Sequence, residues 1–179
     1  MADRHDAFLA AAEIALAVET SARSSGSNDT VGTVGVCEVF PGAVNSVPSR
    51  ARMEVDVRDT DEARRDSVLE KIKLACGEVA DRRAVKASFE FVNADPPAYG
   101  APFVVDTLVQ ACKTHGLPFE RMISRAYHDS LFMSRIAPTA MLFIPCRGVV
   151  SHRPDEYASP EAIAQGTLVL AETLAQLAG

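Results

Sequence analysis

Positive charge is scarce in this sequence: 18 Lys and Arg stand against 24 Asp and Glu, a formal net charge of −6. Phosphate binding needs clustered Lys and Arg, so a nucleic-acid partner is not expected. Long apolar runs are also missing, the longest falling far below the roughly 18 residues of a membrane span. No basic segment followed by an apolar one opens the chain, so no export signal is visible. Cys37, Cys76, Cys112 and Cys146 form no CxxC pair. In a chain without a signal they read as reduced, buried small hydrophobes. These absences leave a cytoplasmic protein without membrane or nucleic-acid partners as the expectation. What is present suits a packed fold, since 179 residues at 47% hydrophobic can form one medium domain or two small ones.

The chain reads as two patterned regions. Residues 6–23 predict a helix, with Phe8, Ala12, Ala15, Leu16 and Glu19 at helical spacing, and the serine-rich run from Ser24 to Asp29 breaks it. Val- and Thr-rich residues 30–40 suit a strand, and Pro41-Gly42 signals a turn. The cleanest alternation follows: Arg50, Arg52, Glu54, Asp56 and Arg58 fall on one face, and Ala51, Met53, Val55 and Val57 on the other. Such a strand belongs to an antiparallel sheet covered on one side only. Asp59 or Thr60 can cap a helix through about Ala80, with Val68, Ile72, Ala75 and Val79 as its stripe, and Val85 to Phe91 alternate as a further strand. The order α-β-β-α-β is a ferredoxin-like β-α-β-β-α-β unit without its first strand.

Asn93-Ala94-Asp95-Pro96-Pro97 is the expected boundary and hinge, giving domains at 1–95 and 96–179. Beyond it the pattern predicts a helix at 102–115, a strand at 119–124, a short helix at 129–136, a strand at 139–145 and a helix at 160–177. The last carries Ile163, Gly166, Leu170, Leu174 and Leu177 on one face. Strands alternating with helices indicate part of a parallel, doubly covered sheet, so the class is α/β: an α+β unit followed by part of an α/β domain.

Several polar residues stand where they can do chemistry. His152 follows the apolar strand 139–145 in the loop Ser151-His152-Arg153-Pro154-Asp155-Glu156, where an imidazole can present a neutral nitrogen to a metal or simply bond at the surface. Arg58, on the charged strand face, can grip a carboxylate bidentately or be neutralised by Glu54 and Asp56. Asn45, in Gly42-Ala43-Val44-Asn45-Ser46-Val47-Pro48, suits an Asx turn. In Ser124-Arg125-Ala126-Tyr127-His128-Asp129, His128 can donate to a substrate or to a carbonyl, and Asp129 can cap the next helix. His5 and His115 fall on predicted helices and read as surface residues.

The GAVNSVP turn, the VDVRD strand end, the SRAYHD loop and the SHRPDE loop together resemble the hydantoinase/carbamoylase family of zinc-dependent amidohydrolases. The resemblance implies metal-assisted hydrolysis of a C–N bond in a small carbamoyl or ureido carboxylate. It assigns His152 as the last histidine ligand of a two-metal centre, zinc or manganese, and Asn45 and Arg58 as lid residues that bind the substrate carboxylate. Arg125 and His128 sit in the substrate-contacting loop, where Arg125 and Tyr127 replace two glycines usual in the family; a positive φ there would strain a bulky residue. The lid also implies a homodimer, and the fold it implies for residues 96–179 is the end of a zinc-peptidase-like sheet domain. The other ligands and the general base would precede the first lid helix, so the chain reads as the carboxyl-terminal half of a family member. A non-catalytic fragment serving as a dimerisation module, or one half of a split enzyme completed by a separate chain, are the alternatives, and a fragment would leave an unpaired sheet edge.

Overall fold

A computed structural model of the chain describes every residue except Ala2. It divides into two compact units, Met1–Pro97 and Ala98–Gly179. In the first, helix α1 (Ala7–Arg23) begins where Asp6 supplies a cap, its carboxylate accepting the N–H groups of Phe8 (3.0 Å) and Leu9 (3.2 Å). Two of the first turn's free donors are thereby satisfied. Strands β1 (Val31–Phe40) and β2 (Arg50–Arg58) pair antiparallel, from Val31 opposite Arg58 at one end to Phe40 opposite Arg50 at the other. A bulge interrupts the register between Val34 and Val36. Helix α2 (Glu62–Arg83) completes the unit, capped by Asp61, which accepts the Arg64 N–H at 2.8 Å, rather than by Asp59 or Thr60.

Both helices cover the apolar side of the hairpin. Val18 of α1 and Val68 and Ile72 of α2 form one core cluster with Val34 and Val57 against them, and Ala10, Ile14 and Val79 form another with Met53, Cys76 and Val85. Gly32 permits this approach: a Cβ there would lie 2.9 Å from the Ala22 Cβ. The opposite face carries the expected charges, with Arg52 bridging Glu38 (3.1 Å) and Glu54, and Arg58 paired with Asp56. Glu13 of α1 meets Arg82 and Arg83 of α2, and these guanidinium groups, Arg83 foremost, hold its carboxyl below the ordinary range. Arg65, almost fully buried, donates to the Asp95 carbonyl at 2.6 Å and so ties the segment expected as a hinge back onto α2.

The buried face of α1 is not the expected one. Ala10, Ala11, Ile14 and Val18 point inward, while Phe8 and Leu16 are exposed. An alanine-rich helix is apolar all round, so its pattern names no single face. The strand expected at 85–91 forms no ladder. Val85 donates to the Ala80 carbonyl (3.0 Å) to close α2, and Phe89 and Phe91 meet edge to face with centroids 5.1 Å apart. Alternation prepares a segment for a sheet, but only a neighbouring strand makes it one. No strand precedes α1 among the described residues.

The second unit is helical. Helix α3 (Pro102–Thr114) starts on a proline, and helix α5 (Pro160–Ala178) does the same behind Ser159, whose hydroxyl accepts the Ala162 N–H at 3.1 Å. Ala111, Cys112 and Val169 form the core between them, with Leu108 and Leu117 packed alongside. A short helix α4 (Ser130–Met133) lies between, and Asp129 precedes it without a side-chain cap bond. The strands expected at 119–124 and 139–145 form no ladder among the described residues, although the Thr139 carbonyl accepts the Ala101 N–H at 2.8 Å. The 139–145 segment nonetheless lies against α5: a Cβ on Gly166 would stand 2.4 Å from Ile144 Cγ2. On α5 the buried residues are Ala162, Val169 and Thr173, whereas Ile163, Leu170, Leu174 and Leu177 face outward. Of the cysteines, only Cys112 is buried; Cys76 is half-buried, and Cys37 and Cys146 are exposed, against expectation. No helix among the described residues is long and apolar enough to cross a membrane.

Truncating Ile72 tests this packing. Ile72→Ala is expected to cost roughly 2–5 kcal/mol in denaturant unfolding, whereas the same change at exposed Leu170 stays within about 0.5 kcal/mol.

Candidate functional site

Arg58 ends β2, and the next residue fixes that end. The Asp59 side chain is fully buried and accepts bonds from the Thr30 hydroxyl, the Arg64 guanidinium (2.8 Å from Nε) and the Asp61 N–H (2.9 Å). The Arg64 guanidinium foremost, with Thr30 and the Asp61 N–H, holds the Asp59 carboxyl far below the ordinary carboxylate range, outweighing burial. The carboxylate thus joins the start of β1, the end of β2 and the first turn of α2. On this anchored end Arg58 is partly exposed and pairs with Asp56, as the neutralised-face reading expects. Asn45 is exposed in the loop joining the other end of the ladder, where Ser46 N–H meets the Ala43 carbonyl at 3.2 Å. The strand between these ends runs about 26 Å at ordinary strand rise. The two residues assigned to one carboxylate therefore stand at opposite ends of one hairpin.

In the second unit the Ser124–Asp129 loop is braced from within. Ser124 Oγ lies 2.6 Å from His128 Nε2 and accepts the Ala126 N–H at 3.2 Å. The His128 ring stands 5.9 Å from that of Phe143. Arg125, exposed, takes φ = +56°, a conformation costly for a residue with a side chain, whereas Tyr127 does not.

His152 occupies a second strained loop. Its own φ is +58° and that of Val149 is +51°, so among the described residues three of the four non-glycine residues with positive φ lie in these two loops. The fourth, Ala84, is the left-handed cap of α2. Such strain costs on the order of 1–3 kcal/mol per residue and collects at functional sites. The loop is closed at its base by the Arg147 N–H to Tyr157 carbonyl bond (2.8 Å), with the Arg147 guanidinium 4.9 Å from the Tyr157 ring. Glu156 accepts the His152 N–H at 2.9 Å, and Arg153 is held by Asp155. These bonds hold the His152 backbone and leave its imidazole exposed.

Asp59, which the sequence offered only as a helix cap, and Ser124 and Glu156, which it left unassigned, brace these candidate residues. For the last two the signal was a polar residue four positions from the candidate histidine. His115, expected at the surface, instead caps the end of α3. Its Nε2 is buried without a hydrogen bond, 4.0 Å from Glu172. His5 is exposed and precedes α1 rather than lying on it. No three His, Cys, Asp or Glu side chains come together as a metal-holding group among the described residues. One imidazole does not hold a metal, so the donor set present does not fit the two-metal centre on its own.

The model of peptidase family M20/M25/M40 matches residues 3–176. Among relatives, a ureidoglycolate hydrolase of Arabidopsis thaliana is 53% identical over 97% of this chain and 37% of its own length. An N-carbamoyl-L-amino acid amidohydrolase of Geobacillus stearothermophilus is 35% identical over 99% of this chain and 43% of its own. Among solved structures, AtUAH in complex with (S)-hydroxyglycine superposes with a TM-score of 0.93 at 52% identity, covering 99% of this chain and 42% of that one. A hydantoinase/carbamoylase family amidase from Burkholderia vietnamiensis reaches 0.90 at 26% identity, covering 97% and 42%. The chain thus spans about two fifths of the length of the relatives it matches.

The Asp59 anchor has a pH signature. A carboxyl whose pKa is depressed on folding contributes stability above its unfolded pKa of about 4, and that stability is lost as pH falls toward the folded value. Urea unfolding between pH 7 and pH 2 is expected to show this loss in the native chain. Asp59→Asn should lower stability at neutral pH by about 1–3 kcal/mol and flatten the acid slope; an unchanged slope would refute the anchor.

Proposed function

The chain belongs to peptidase family M20/M25/M40, and on that footing we propose that it is the carboxylate-binding and dimer-forming part of an amidohydrolase that cleaves a C–N bond of a small ureido acid. Met1–Pro97 would be the lid and Ala98–Gly179 part of the catalytic domain. The observation that carries the reading is Arg58, a partly exposed guanidinium on a strand end locked by Asp59, in a chain similar across almost its whole length to ureidoglycolate hydrolases. A ureidoglycolate-type substrate is favoured over an N-carbamoyl amino acid because identity to those hydrolases is 53% and 52%, against 35% and 33% for two N-carbamoyl-L-amino-acid amidohydrolases.

Arg58 would hold the substrate carboxylate through paired N–H donors, displacing the exposed Asp56, whose pairing contributes little in solvent. Arg125 and His128 would belong to a substrate-contacting loop. M20 amidohydrolases are generally metal-dependent, and His152 would be this chain's contribution to a zinc or manganese centre. The general base and remaining ligands would come from outside these residues. Because Asn45 and Arg58 stand at opposite ends of the hairpin, one small carboxylate cannot meet both within a single copy. A homodimer, in which Arg58 comes from one copy and Asn45 from the other, reconciles their shared role.

A chimera tests this reading: the matching part of the Arabidopsis ureidoglycolate hydrolase is replaced by these 179 residues, and hydrolysis of ureidoglycolate and of an N-carbamoyl amino acid is compared. Preference for ureidoglycolate is expected, with Arg58→Ala raising KM by about 30-fold or more, since losing one partner of a buried charge pair costs at least about 2 kcal/mol. Preference for the carbamoyl amino acid, or an unchanged KM, would sink the proposal. Mixing the Asn45→Ala and Arg58→Ala chimeras tests the shared site. A trans arrangement restores one intact site per mixed dimer and so recovers activity, whereas a cis arrangement recovers none.

A further inference from the structure

The Ser124–His128 contact determines more than loop shape. A hydroxyl has one proton and two lone pairs. One lone pair of Ser124 takes the Ala126 N–H, and the proton's available acceptor in the loop is His128 Nε2, 2.6 Å away. Among the described residues neither the Ser124 hydroxyl nor the His128 ring makes a further side-chain hydrogen bond, and the ring is half-buried beside Phe143. If Nε2 carried the proton instead, the serine proton would be left without a partner in this loop. The tautomer of a histidine is set by the bond its other nitrogen makes.

We propose that Ser124 is a positioning residue that holds neutral His128 with its proton on Nδ1, so that the histidine meets a ligand as an Nδ1–H donor to a carboxylate or ureido oxygen. The donor role rests on the substrate-loop reading above; the tautomer does not. With the proton on Nδ1, His128 donates to an oxygen and does not act as a base through that atom. It therefore selects ligands that present an acceptor there over ligands that present an amine.

Long-range ¹H–¹⁵N correlation spectra of the 179-residue chain at about pH 8.5, above the ordinary histidine range, read the tautomer directly, with His128→Gln identifying the signals. Expected is a protonated-type shift at Nδ1 and an unprotonated-type shift at Nε2 of His128. In Ser124→Ala the pattern should revert to the Nε2–H form that free imidazole side chains prefer, and Ser124→Thr, which keeps the hydroxyl, should retain the native pattern. A native spectrum dominated by Nε2–H, or one unchanged by Ser124→Ala, overturns the proposal. The spectra need no substrate, so an inactive chimera refutes the functional reading without bearing on this one.

Discussion

The buried carboxylate of Asp59 is the fastening that the first unit depends on. It accepts from Thr30 just before β1, from Arg64 in the first turn of α2 and from the Asp61 backbone, while itself following the last residue of β2. A two-stranded hairpin is marginal by itself and needs packing against helices. Asp59 joins the hairpin to α2 at one end, and the Val18, Val68 and Ile72 cluster covers the apolar side beside it. The same fastening fixes where Arg58 stands. The stability of this end and the position of Arg58 are thus set by one charge-assisted network, and a buried carboxylate without Arg64 would be costly.

Helices were legible in the sequence because each carries its own hydrogen bonds: α1, α2, α3 and α5 begin and end near the predicted positions. The β1–β2 hairpin was legible for a related reason, since its two strands are neighbours in sequence and partner each other. The segments at 85–91, 119–124 and 139–145 show the limit. Their composition is that of strands, but a ladder belongs to a pair, and none of them forms one among the described residues. Helix faces were legible only where polar residues mark the outside. They did so on α2, where Val68, Ile72 and Val79 are buried, but not on alanine- and leucine-rich α1 and α5.

The candidate site was named from motifs and not from geometry. Residue chemistry and the family resemblance together named Arg58, Asn45, Arg125, His128 and His152, and the strand predicted from Arg50 to Arg58 already placed Asn45 before its start and Arg58 at its end. Backbone strain was foreseen only in part: Arg125 takes a positive φ where glycine is usual in the family, whereas nothing in the sequence marked that of His152. Glu156 and Ser124 act on the backbone or ring of a neighbouring histidine, roles that become visible only once the loops close. Both strained loops lie in the second unit, and Arg58 lies in the first.

The central claim is that these 179 residues carry the carboxylate clamp and one metal-ligand loop, but no metal centre of their own. Metal content of the purified chain after zinc loading and desalting, beside His152→Ala, tests it most directly. Expected is no stoichiometric zinc in either protein, because one exposed imidazole cannot hold the ion against desalting. About two zinc ions per chain, lost in His152→Ala, would contradict it and mean that ligands within this chain complete the site.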